Sequence, residues 1–304
     1  MGRALCVEAR ALVPALARKS GSTIKNLTHS MAERAFEARM KASWEAPAPA
    51  QSDADPYHSQ IGDAEYWERL YAATPAGVEP GAEVFDWLAG WFDVGCLLEA
   101  LVARDCSRSV LHLGCGNSRL PEGMYDAGYT QQTCIDLSPS VVEQMRVRNA
   151  CRPMQWIAAD CTDLTAVLED DSFDLVIDKG TFDAITCHDS HALMLIKFLK
   201  EAFRVTKPGG VYICISLHES KDVLKWLRRK AFGWRVRDVS LGRPKAHHTT
   251  AYICTKCRPT QLYLKERWPE LLRHVEEHHD SDVEGEEQLT EDEEGETVDA
   301  EEVG

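Results

Sequence analysis

Two glycines and an acid carry the first chemical signal in this chain. Gly114 and Gly116 stand in SVLHLGCGNSR, residues 109–119, directly after the apolar run Val110 to Leu113. Asp136 follows about twenty residues later, at the end of a second apolar run, QQTCIDLS. Glycines without a Cβ let a chain turn sharply and let a ligand lie against the backbone amides. An acid at that offset is where nucleotide-binding α/β folds receive ribose hydroxyls. The combination predicts a ribose-bearing ligand. The third glycine of a dinucleotide loop is replaced by Arg119, and Pro121 is expected to delay the next helix, so no pyrophosphate cradle is expected. S-adenosylmethionine, an adenosine without phosphate, fits that departure. A tight strand-to-helix turn with no ligand fits the glycines equally.

Aromatic residues gather just before this loop: Trp67, Tyr71, Phe85, Trp87 and Trp91. Trp67 and Tyr71 are one helical turn apart. Electron-rich rings suit a cationic sulfonium and would wall it from water, a lid. A helix stapled to the domain by ring packing is the alternative. Cys254 and Cys257 form a C-x-x-C that lacks a second ligand pair, and His247 and His248 are poorly spaced, so core-edge thiols are expected and no metal.

These residues need a frame to bring them together, and the apolar runs supply one. Val110 to Leu113, Thr133 to Leu137, Met154 to Ala159, Phe173 to Ile177 and VYICIS read as strands alternating with helical segments. Two late strands, WRVRDVSL and TTAYICTKC, follow a basic helix. The expectation is a Rossmann-like, seven-stranded, mostly parallel sheet with helices on both faces and an antiparallel last strand. Ser138 should cap a helix with Pro139 in its first turn and Val142, Met145 and Val147 as its apolar face. Gly114, Asp136, Asp160 and Lys179 all fall at strand carboxyl ends, where such sheets bind ligands.

Composition limits the partners. Of 34 Lys+Arg and 49 Asp+Glu, 15 acids lie between Glu276 and Glu302, so the chain before that run carries 34 of each sign and is neutral overall. Net charge therefore predicts no nucleic-acid surface, and no apolar run reaches membrane-span length. Eleven scattered cysteines point to a reducing compartment. Residues 1–60 read as an N-terminal extension and linker, partly helical or an organelle transit peptide. Residues 61–258 form the folded domain, 259–274 a short helix, and 275–304 an acidic tail too charged to fold alone. A cytoplasmic location is expected, with mitochondrial targeting by the extension as the alternative.

The order LGCGNS, IDLS, AD, SFDLVIDKGTFDA and KPGG, preceded by YWERLY and FDW, resembles class I S-adenosylmethionine-dependent methyltransferases. Within that class it is similar to the methyltransferase-like group that modifies translation elongation factor 1-alpha on lysine, over about Glu65 to Lys256. The resemblance implies S-adenosylmethionine as cofactor, with Gly114 at its methionine end and Gly116 in the same loop. It implies Asp136 and Leu137 at the ribose, Asp160 and Cys161 at the adenine, and Lys179 by the sulfonium. Trp67, Tyr71 and Trp87 would close over the cofactor. His112 departs from the wider class, which commonly has an acid there.

An acceptor lysine must be neutral to attack, and nearby carboxylates can orient it. Asp178 and Asp183 flank the exit of the fourth strand and are the candidates; an acid favoured by a helix N-terminus is the alternative for Asp183. Asp136→Ala is expected to lose the cofactor with thermal unfolding nearly unchanged. A small-molecule methyltransferase would want a cap domain between the strands, and none is evident. A catalytically silent binding module is the remaining rival.

Overall fold

The computed structural model describes residues 61–73, 86, 88–102, 105–188, 190–229, 231–241, 249–257, 260, 268–273 and 275–276. The N-terminal extension, Phe85, Trp87, His247, His248 and the tail beyond Glu276 lie outside the described residues. No helix among the described residues is long and apolar enough to cross a membrane.

Seven strands form one sheet in the order β3-β2-β1-β4-β5-β7-β6. β1 (Ser109–Leu113), β2 (Gln131–Asp136), β3 (Gln155–Ala158), β4 (Phe173–Lys179) and β5 (Thr206–Ser216) pair in parallel. β7 (Thr250–Lys256) is antiparallel to both β5 and β6 (Trp234–Ser240). The expected late antiparallel pair is therefore present, and its last strand slots inside the edge rather than ending the sheet.

Alternation along each strand sorts side chains onto two faces. Leu111, Leu113, Val176, Tyr212 and Cys214 face a core built with α5 (Thr181–Thr186), α6 (His191–Val205) and α7 (Ser220–Leu227). Val110, Leu175, Ile177, Ile213 and Ile215 face the other core, where α2 (Trp91–Leu101) and α3 (Leu120–Ala127) supply Val94, Leu98, Leu120 and Met124. A third cluster joins Tyr71 of α1 (Ala64–Ala73) to Cys134, Trp156 and the Val141, Val142 and Met145 stripe of α4 (Pro139–Arg148). Each fully buried aliphatic or aromatic side chain contributes roughly 1.5–3 kcal/mol. The same parity puts Asp178 on the α5 and α6 face and Lys179 on the α2 and α3 face, although they are neighbours in the chain.

Strand ends are level: Leu113 pairs with Asp178, Lys179 with Ile215, and Asp136 with Ala158. From β1 the chain passes to β2 on one side and later returns to β4 on the other, so the order reverses at β1 and β4 and opens a crevice at their carboxyl ends.

Two local expectations change. α3 starts at Leu120, with Pro121 in its first turn. A proline there lacks only an N–H that has no helical partner, so Pro121 opens the helix instead of delaying it. In α4 the buried stripe is Val141, Val142 and Met145, while Val147 is 48% exposed. Lys207 to Gly210 lie inside the span of β5, as an irregular start whose register slips between Phe173 and Leu175. Ser138 caps α4 as expected, its Oγ accepting from Val141 N at 3.2 Å. Leu271, from the expected C-terminal helix, and Val275, the first residue of the expected acidic tail, are both buried in the α6 and α7 core.

Candidate active site

The loop after β1 is shaped by what its glycines leave out. Gly114 and Gly116 have φ of +63° and +51°, in the left-handed region. A Cβ on Gly114 would lie 2.0 Å from Thr181 Oγ1, and one on Gly116 2.6 Å from the Tyr71 hydroxyl oxygen. Both glycines are thus demanded by backbone conformation and by close neighbours together. Thr181 Oγ1 donates to Leu113 O at 2.9 Å, stitching α5 to the loop.

Asp136 braces the loop from β2. Its carboxylate is buried and accepts from Gly116 N at 2.8 Å and Ser138 N at 3.0 Å. Burial pushes this carboxyl above the ordinary range, and the amide bonds pull it back. Tyr71 covers it; burial and the nearby Asp136 push the phenol up, so the ring stays neutral. Because Asp136 bonds two backbone amides, Asp136→Ala removes structural hydrogen bonds, and unchanged unfolding is no longer the expectation.

α1 is fastened over this corner. Trp67 stacks on Tyr71 at 5.9 Å between centroids and donates through Nε1 to Ile61 O at 2.7 Å. Glu68 accepts from the hydroxyls of Ser138 and Ser140 and from Ser140 N at 3.3 Å, and these bonds lower its pKa. Gln144 donates to Tyr71 O at 2.9 Å.

On the opposite face, Lys179 Nζ lies 3.7 Å from Asp86 Oδ1. Burial pushes the ammonium down and Asp86 opposes it. Asp86 also accepts from the Ser118 hydroxyl and from Arg119 N at 3.1 Å. Arg148 forks onto the loop carbonyls of Asn117 and Ser118, each at 2.9 Å, with Nε on Glu122 at 2.6 Å. His112 is buried, its Nε2 2.7 Å from Gln132 Oε1. The Gln132 amide donates to Pro121 O and Tyr129 O, so Oε1 must accept and Nε2 carries the proton. Burial pushes His112 down to about 4, leaving it a neutral donor where the wider class has an acid. His112, Gly114, Ser118, Pro121 and Lys179 help line a cavity of about 20 Å³, room for one water.

Towards β3, Asp160 is exposed and accepts from Thr162 N at 2.8 Å, while Leu137 is 40% exposed. Cys161 is buried beside the Gly114 amide, and burial pushes its thiol up.

Past β4 the groups are ionisable side chains. Asp178 is fully buried and caps α5, accepting from Thr181 N at 2.8 Å and Phe182 N at 3.2 Å, with the Tyr212 hydroxyl at 3.3 Å. Burial, then the nearby Asp183, push it up to about 7. Asp183 Oδ1 accepts from Ser216 Oγ and Leu217 N, both at 3.0 Å. Its Oδ2 is buried with no hydrogen-bond partner among the described residues.

A family model described as a methyltransferase domain matches residues 111–214, from β1 into β5. The eEF1A lysine and N-terminal methyltransferase of Bos taurus is 33% identical over 216 residues, 66% of this chain and 29% of that protein. Its Danio rerio counterpart is 35% identical over 208 residues, again 66% and 29%. The mitochondrial citrate synthase-lysine N-methyltransferase CSKMT of Danio rerio is 30% identical over 210 residues, 64% of this chain and 82% of that protein.

This chain belongs to the class I S-adenosylmethionine-dependent methyltransferases. It spans 29% of the length of the eEF1A relatives and most of the citrate synthase relative. Within this methyltransferase fold, Tyr71, Gly116 and Asp136 come together at one corner, Gly114 and Cys161 meet beside it, and Lys179 stands on the far side of β4 from Asp178 and Asp183. The Leu137 backbone amide joins those of Gly116 and Ser138 on the Asp136 carboxylate, while Asp160 is exposed beyond β3. Trp87 lies outside the described residues. The residues missed from sequence are Asp86, Glu68 and Arg148. Asp86 sits inside the FDW motif that drew attention only for its rings, and Glu68 inside YWERLY; Arg148 carries no signal beyond a basic last turn of a helix.

Proposed function

We propose that this chain transfers methyl groups from S-adenosylmethionine to a protein lysine, with translation elongation factor 1-alpha as the leading substrate. One observation carries the reading: relatives named for different substrates, eEF1A and citrate synthase, share lysine as an acceptor. A cytoplasmic setting accompanies the eEF1A reading. The citrate synthase relative, matched over 82% of its length, favours citrate synthase as the second candidate and a mitochondrial setting with it.

The residues fit the cofactor. Gly114 and Gly116 make the left-handed turn against which the cofactor would lie, Asp136 offers a carboxylate to ribose hydroxyls with Leu137 beside it, and Asp160 and Cys161 would border the adenine. Lys179 supplies an ammonium donor for the methionine end, and Trp67 and Tyr71, with Trp87, are proposed to shield it from water. When bound, S-adenosylmethionine supplies an electrophilic methyl carbon on a cationic sulfur. The protein's work is to hold the acceptor nitrogen in line and dry, and Asp178 and Asp183 are the acids that would orient it. The test is incubation of the purified protein with methyl-labelled cofactor and, separately, eEF1A and citrate synthase. Mass spectrometry of lysines and N-termini should find methylated lysine in eEF1A. Label on citrate synthase alone would transfer the reading to the second substrate, and no labelled lysine in either would overturn it.

A further inference from the structure

We propose that His218 is the base that takes the proton from the acceptor amine, an inference that deepens the methyl-transfer reading and rests on it. His218 lies two residues past the end of β5, beside the β4 exit, where Gly180 N donates to Ile215 O at 3.1 Å. Its Nε2 is 2.8 Å from Thr186 Oγ1, and that hydroxyl donates its one hydrogen to Asp183 O at 2.6 Å. Thr186 Oγ1 must therefore accept from Nε2–H, which leaves the lone pair on Nδ1. No described residue bonds Nδ1.

Asp183 Oδ1 stands 3.7 Å from Nε2, so a carboxylate lies on the side of the ring away from Nδ1. Ser216 Oγ accepts from His218 N at 3.1 Å and donates to Asp183, so backbone and carboxylate are locked as one unit. The charged groups around the ring are Asp183 from α5, Asp178 behind it on β4, and Glu219, which pairs with Lys221 at 3.0 Å. No lysine or arginine among the described residues pairs with the ring. With 40% of its side chain exposed, His218 can meet a protein-borne amine and later release the proton to solvent. The proton passes from the lysine ammonium to Nδ1, the lone pair so freed on nitrogen forms the N–C bond to the methyl carbon, and the C–S pair returns to sulfur.

The edge-on contact of the ring with Phe182 would make His218 a packing residue instead, so the test uses readouts that packing does not move. Nitrogen NMR of the unliganded protein should find the Nε2–H tautomer; an Nδ1–H tautomer overturns the proposal. In the eEF1A assay, His218→Gln should lower kcat about 100-fold, abolish the acid limb of the kcat–pH profile, and leave calorimetric cofactor binding unchanged. Thr186→Val, which keeps the ring and frees its tautomer, should lose about 10-fold. Full kcat with an intact acid limb in His218→Gln, beside an active wild type, sinks His218 alone. A wild type that binds cofactor and labels no lysine removes the lysine reading and this inference together.

Discussion

The two sides of the crevice are built from different materials. Towards β1 and β2 the site is mostly backbone: two left-handed glycines, amides of Gly116 and Ser138 on Asp136, and carbonyls of Asn117 and Ser118 on Arg148. Towards β4 and β5 it is mostly titratable or hydroxyl side chains: Asp178, Asp183, Thr186, Ser216 and His218. A cofactor that is the same in every turnover is served by rigid main chain, which has no rotamers to lose. An acceptor that must shed a proton is served by groups whose charge can change.

Gly114→Ala should break the backbone side hardest. The added methyl meets Thr181 Oγ1 at 2.0 Å on a residue with φ of +63°, so cofactor heat should vanish in calorimetry and urea unfolding should report a loss of about 3 kcal/mol. Asp136→Ala comes next, at about 2 kcal/mol for the two amide bonds it gives up. Asp136→Asn, which can keep one carbonyl acceptor, should recover part of the stability and none of the cofactor binding. If Asp136→Ala unfolds at the wild-type temperature, the bracing role is wrong.

The smallest effect sharpens the comparison through pH. Asp178 is pushed up to about 7 in the folded chain, above an unfolded value of about 4, so the stability it allows is lost as pH rises from about 4 to about 7. His112 is pushed down to about 4, below about 6.5 unfolded, so its contribution is lost as pH falls from about 6.5 to about 4. The two slopes oppose each other in the wild type. Asp178→Asn should expose the loss on acidification, and His112→Gln the loss on raising pH, each on the order of 1 kcal/mol per pH unit within the window. Melting temperatures from pH 4 to about 7 that keep the wild-type slope in both variants would remove this pairing.

The backbone side was the more legible one in the sequence. Gly114, Gly116 and Asp136 are close in the chain, and their spacing follows from one strand, one turn and the next strand. The side-chain half was legible only as acids near a strand exit. Asp178 and Asp183 were visible, but His218, 32 residues after Thr186, had no local pattern to mark it. Pro121 was misread because the same residue that breaks a helix interior is welcome in its first turn.

Local periodicity alone determined the strands, the two glycines and the offset to Asp136, because strand and helix repeats act over a few residues. Tertiary structure alone decided that Thr181 and Tyr71 crowd the glycines, that Glu68 reaches Ser138 across 70 positions, and that Asp178 and Lys179 part to opposite faces with different neighbours. Those contacts depend on strand order and register, which bring distant segments within bonding distance and which no nearest-neighbour pattern encodes.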